Sequence, residues 1–129
     1  MDVKKVNVKE MNIGVLAYLG DAVYELEIRN YLVKKTGYKA QELDRKATEY
    51  VSAVSQSKII DDLTQREILT PNELELINRA RNYKTHSKPR YVDIKTYKKA
   101  TALEVLFASL YLENNKLRID QLMKEIMGD

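Results

Sequence analysis

Two carboxylates in apolar surroundings are the residues of this chain best placed to do chemistry. In Leu16–Glu25, LAYLGDAVYE, Asp21 has apolar or small residues for four positions before it and apolar ones for three after. In Ala100–Leu112, ATALEVLFASLYL, Glu104 is the sole charged residue. An ionised carboxylate taken out of water without a partner is costly, so each of these acids needs a partner or a task. On a helical wheel Asp21 shares its stripe with Gly14, Ala17 and Glu25, and Glu104 shares its stripe with Ala100, Thr101 and Ala108. Small neighbours let a second helix, a hydrated ion or a phosphate come close. A single such acid is most simply structural, paired with Lys or Arg or exposed at a helix edge. Two with matching surroundings suggest a joint task, holding one hard divalent cation that prefers oxygen ligands and keeps several waters. A Mg²⁺ held this way acidifies an attacking water and stabilises charge on a phosphate and its leaving oxygen.

A basic segment supplies the complement to that chemistry. Between Arg79 and Lys99 there are eight Lys and Arg against one acid, Asp93, so the segment carries +7 of a net +3 and the rest of the chain is acidic. Such a local excess points to a polyanion-facing edge. Arg79, Arg81, Lys84, His86, Lys88 and Arg90 are the expected phosphate contacts, with Lys95, Lys98 and Lys99 more weakly indicated because a Lys-rich helix start is often only a solvated face. Tyr83, Tyr91 and Tyr97 are interleaved with them. His86 is the one histidine, which argues against His-based metal or general-base chemistry.

The elements that must position these residues read as helical nearly throughout. Apolar spacing predicts helices over about 11–35, 40–52, 55–66, 71–81, 94–113 and 119–127. Thr36-Gly37 is a stop signal, and Thr70-Pro71-Asn72-Glu73 reads as an N-cap with a capping box. Residues 82–93, NYKTHSKPRYVD, lack an apolar period and contain Pro89, so they read as a loop. Tyr18, Tyr24 and Tyr31 fall on the first helix and read as core or dimer contacts. The expectation is an all-α fold, a single domain over residues 1–129 of about six or seven helices.

Composition supports a folded chain: 129 residues, 44% hydrophobic and 32% charged, with few Gly and Pro. There is no cysteine, hence no disulfide framework or thiolate metal site. The N-terminal stretch MDVKKVNVKEMN lacks a signal-peptide apolar region and no run approaches a membrane span, so a soluble cytoplasmic protein is expected.

These residues also carry a family resemblance. LGDAVYE at Leu19–Glu25 resembles the signature helix of the ribonuclease III family, and ALEVLFASLYLE at Ala102–Glu113 resembles that family's second catalytic helix. With the short length, the resemblance is closest to the Mini-ribonuclease III branch, a catalytic domain without a double-stranded RNA-binding module. It implies that Asp21 and Glu104 are the catalytic, metal-holding acids, with Mg²⁺ as cofactor and Mn²⁺ as a substitute. Two further family carboxylates are absent, since Ala17 and Thr101 stand at their positions, and Gly14 stands where another signature Glu would be. With two protein carboxylates per subunit, weak metal binding in the absence of RNA is expected. The resemblance further implies a homodimer that cleaves double-stranded RNA, one strand per subunit, with precursor 23S ribosomal RNA as substrate and a ribosomal protein as a potential helper. If about six phosphates are contacted, log K should fall with log salt at a slope of about −5. The alternative is a non-catalytic, ribonuclease III-like RNA-binding or ribosome-associated protein, for which Ala17 and Thr101 argue. A DNA-binding regulator would need a basic recognition helix, whereas here the basic residues cluster in a loop.

Overall fold

The computed structural model describes residues 6–84 and 89–129. The expected RNA contacts His86 and Lys88 lie outside the described residues. A 3-10 turn, Val8–Glu10, precedes six α-helices: α1 (Ile13–Lys35), α2 (Ala40–Val51), α3 (Ala53–Gln65), α4 (Pro71–Arg81), α5 (Ile94–Leu112) and α6 (Lys116–Met127). Among the described residues there is no strand. None of these helices is long and apolar enough to cross a membrane.

Local signals start most of these helices. The Asn12 side chain accepts from the backbone N–H groups of Gly14 and Val15 at the head of α1. Thr70 and Glu73 form the expected capping box at α4, with Thr70 Oγ1 accepting from Glu73 N–H at 3.1 Å and Glu73 accepting from Thr70 N–H at 2.9 Å. Asp93 caps α5 through Thr96 N–H at 2.8 Å. Ser52 ends α2 and also caps α3, so α3 begins at Ala53, two residues before its expected start. Two other boundaries differ in a way that has a physical cause. The last helix starts at Lys116, a turn before the expected Ile119, because Asn115 is an N-cap that accepts from Arg118 N–H. Helix α1 stops at Thr36 as expected, but by the Thr36 N–H and hydroxyl both donating to Leu32 O in an extended conformation, with no left-handed glycine involved.

Helix α5 runs through the middle of the fold, packed by α1, α3, α4 and α6. This placement explains why its sequence is apolar on nearly every face. Leu103, Val105, Leu106, Phe107 and Ala108 are fully buried, and each large side chain of this kind contributes about 1.5–3 kcal/mol by leaving water. Tyr24 of α1 meets Phe107 edge-on at 5.1 Å between ring centres, and its hydroxyl donates to Tyr50 O at 2.8 Å, tying α2 to the same core. Helix α6 is pinned by Arg118. Its guanidinium grips both carboxylate oxygens of Glu73 at 2.7 and 2.9 Å and also donates to Ile68 O at 2.8 Å.

The approach of α1 to α5 matters most for the site. At Gly20 the helices are so close that a Cβ would lie 1.8 Å from the Glu104 carbonyl oxygen. Only a residue without a side chain permits that crossing. It brings the next residue, Asp21, beside Glu104.

Candidate active site

Asp21 and Glu104, 83 residues apart in sequence, line one open cavity of about 470 Å³. The wall is completed by Gly14, Ala17, Tyr18, Ala80, Tyr83, Tyr97, Lys98 and Thr101. Asp21 is on the exposed side of α1, while Glu104 is half-buried beneath it. Burial pushes the Glu104 carboxyl up to about 9, and the neighbouring Asp21, close enough to share a hydrogen bond, pushes it the same way. Neither acid is locked to a Lys or Arg: the ion pairs of the described residues lie elsewhere.

Helical spacing explains the arrangement. Tyr97, Thr101 and Glu104 follow one another by four and three positions on one face of α5, and Thr101 Oγ1 donates to Tyr97 O at 3.0 Å. Gly14, Ala17 and Asp21 form the facing stripe of α1. Where the family resemblance marks absent carboxylates, the cavity has a small side chain at Ala17, a hydroxyl at Thr101 and a bare backbone at Gly14, where a Cβ would meet Asn12 Oδ1 at 3.0 Å. A Cβ on Gly14 would also meet the Tyr83 hydroxyl at 3.2 Å. Among the described residues no group of three or more His, Cys, Asp or Glu could hold a metal ion, so Asp21 and Glu104 are the carboxylates of this cavity that could serve one. Two facing acids without a basic partner, offering hard oxygen donors, do fit a divalent cation that keeps several waters.

The expected RNA contacts separate into groups. Arg81, Lys84 and Arg90 are exposed where the loop leaves and re-enters the helical body. Arg79 is not exposed in this way. Its guanidinium donates to Lys9 O at 3.1 Å and to Met11 O, tying α4 to the 3-10 turn at the head of α1. Lys99 pairs with Asp61 of α3 at 2.9 Å, whereas its neighbour Lys98 faces the cavity. The sequence pattern ranked Lys98 low, and Tyr83 and Tyr97 were only loosely indicated. The available signal for Lys98 was its spacing of three from Thr101, which puts both on adjoining faces of α5. The tyrosines of α1 also diverge: Tyr24 is core, Tyr31 packs against the core half-buried, and Tyr18 stands 85% exposed at the cavity rim.

The chain resembles known proteins along nearly its whole length. The family described as "Ribonuclease III domain" matches residues 14–115. A Mini-ribonuclease 3 from Staphylococcus aureus is 37% identical over 121 residues, covering 94% of this chain and 90% of that protein. Another, from Enterococcus faecalis, is 40% identical over 115 residues, with 89% and 87% covered. A crystal structure of a Fusobacterium nucleatum protein superposes with a TM-score of 0.79 at 31% identity, covering 94% of this chain and 95% of that one. The family match spans both helices that form the cavity, and the paired carboxylates lie inside it; the chain belongs to the ribonuclease III family and is an endoribonuclease.

Proposed function

We propose that the chain is a Mg²⁺-dependent endoribonuclease that cleaves double-stranded RNA at the Asp21–Glu104 cavity, acting as a homodimer on the ends of precursor 23S ribosomal RNA in the cytoplasm. The observation that carries this reading is the pair of carboxylates facing each other in one open cavity without a basic counter-ion. Asp21 and Glu104 would hold the cation, and when bound it supplies an acidified water and charge stabilisation at the phosphate. The chain's own contribution is positional. The Gly20 crossing sets the separation of the two acids, the burial of Glu104 keeps its carboxyl oriented, and Tyr83 and Tyr97 form a wall on which a ribose can rest.

Double-stranded RNA suits this surface because A-form duplexes are recognised through shape, phosphates and 2′-hydroxyls more than through base edges. The exposed cations Arg81 and Lys84 directly follow the cavity-lining Ala80 and Tyr83 in sequence, and Arg90 is exposed as well. The dimer reading is supported by an exposed apolar stripe on α1, formed by Val15, Tyr18, Leu26 and Val33 at helical spacing on the outer side of the helix that bears Asp21. A two-fold dimer about that stripe would offer one hydrolytic centre to each strand of a duplex. The precursor 23S substrate, and a ribosomal protein that would present it, rest on the family resemblance carried by the Leu19–Glu25 and Ala102–Glu113 stretches.

The test is incubation of a labelled RNA duplex with the protein in Mg²⁺, in Mn²⁺ or in EDTA, beside an Asp21→Asn variant. Cleavage that requires the cation and disappears in Asp21→Asn, while duplex binding and the thermal transition persist, is the expected result. Duplex binding without cleavage in any of these metals would overturn it.

A further inference from the structure

We propose that Lys98 is a catalytic residue whose ammonium contacts the phosphate being cleaved, a role that rests on the endoribonuclease reading above. Three observations place it there. Lys98 lines the same cavity as Asp21 and Glu104, and it is the one Lys or Arg among the described residues to do so. It is half-buried, so its charge is partly withdrawn from water. It makes no ion pair with either acid, or with any other acid of the described residues, although its neighbour Lys99 is held by Asp61 at 2.9 Å.

The cavity therefore holds one ammonium and two carboxylates that form no ion pair with one another. A structural counter-ion would close onto the acids, as Arg118 closes onto Glu73 at 2.7 Å. A cation held apart from them is instead poised for an anion that enters the space. A phosphodiester brings one negative charge, and addition of a water oxygen to phosphorus develops a second on its non-bridging oxygens. Lys98 transfers no proton in this scheme. It holds charge while the bond from phosphorus to the ribose oxygen breaks and the proton from the water ends on that leaving oxygen. A fixed cation in a cavity partly shielded from water stabilises such developing charge more than the same cation free in solvent. The need is greater here because Ala17 and Thr101 leave a small ligand set for any metal, so less of the charge can be neutralised by bound cations.

The experiment measures cleavage of a labelled RNA duplex under single-turnover conditions, with protein saturating and Mg²⁺ in excess, for wild type, Lys98→Met and Lys98→Arg. Duplex dissociation constants are measured in parallel. Removal of one charge-stabilising donor at a reacting centre costs on the order of 10²–10³ in rate, so Lys98→Met should fall by about that factor at saturation while its dissociation constant changes by less than about threefold. Lys98→Arg keeps the charge and should recover part of the rate. Lys98 is partly exposed and unpaired, so both variants should retain the wild-type thermal midpoint within about 2 °C. An unchanged rate at saturation overturns the proposal. So does a loss confined to duplex affinity, because a lysine that only tethers the RNA backbone would weaken binding and leave the saturated rate alone. If wild type itself cleaves no duplex with any divalent cation, the endoribonuclease reading fails and the role of Lys98 fails with it.

Discussion

The Gly20→Ala variant isolates how the fold sets the chemistry. A methyl group at this position would stand 1.8 Å from the Glu104 carbonyl oxygen, where ordinary contact begins at 3.4 Å. The neighbour is helix backbone and cannot swing aside, so α1 and α5 must separate by about 1.6 Å at their crossing. Overpacking of this sort costs about 3 kcal/mol or more, offset by about 1 kcal/mol of better helix propensity for Ala. A net loss of about 2 kcal/mol corresponds to a thermal midpoint lower by about 8 °C in a chain of this size. Activity should suffer far more than stability. Misplacement of reacting groups by about 1 Å costs about 100-fold, and Asp21 rides directly on the displaced turn. The assay compares thermal unfolding with single-turnover duplex cleavage well below both midpoints. Gly37→Ala serves as the reference, since no atom lies within 4 Å of a Cβ there. A Gly20→Ala protein that cleaves within about tenfold of wild type and melts within about 2 °C of it would refute the claim that this crossing positions the acids.

Other perturbations test other parts of the molecule. Glu104 has a folded value of about 9 against the ordinary 4.5, so its contribution to stability is complete below about pH 4.5 and drains away as pH rises toward 9. Glu104→Gln is neutral throughout, so in metal-free buffer the wild-type midpoint should drop relative to this variant between about pH 5 and pH 9; a constant difference would refute the assignment. Divalent-cation affinity should tighten with pH over the same range as the cation displaces that proton, which calorimetry in buffers of different ionisation heat would detect. Arg118→Ala would strand the Glu73 carboxylate, only 8% exposed, at a cost of about 3–5 kcal/mol. Burial alone would raise Glu73, but its bonds from Arg118 and Thr70 hold it below the ordinary carboxylate value, so the wild type's advantage over Arg118→Ala should shrink as acid protonates the group. Duplex affinity should fall with salt at a slope near −5 for about six phosphate contacts, and indifference to salt would exclude the basic loop as the binding edge.

Much of the helical plan was readable because its signals are local. Thr70-Pro71-Asn72-Glu73 needs only four neighbouring residues to make a capping box, and it is where the pattern placed it. Asn115 was missed because its capping bond, equally local, precedes a turn whose one apolar residue, Leu117, faces solvent. The stop at Thr36 was read at the right place for a reason that did not hold, since Gly37 takes no left-handed conformation. The isolation of Asp21 and Glu104 in apolar helices was legible, because a lone charge in such a run is visible without coordinates.

The amino-acid order alone determined that this chain would be helical, where most helices begin, and which two acids lacked an obvious partner, because periodicity and capping act over a few residues. The tertiary structure decided what those acids face. Asp21 and Glu104 meet because Gly20 admits the Glu104 backbone, a contact across 84 residues that no local pattern encodes. The same packing divides neighbouring cations by direction, sending Lys99 to Asp61, Arg79 to the carbonyls near Met11, and Lys98 into the cavity. Charge is a property of the residue, whereas its partner is a property of the helix crossing that surrounds it.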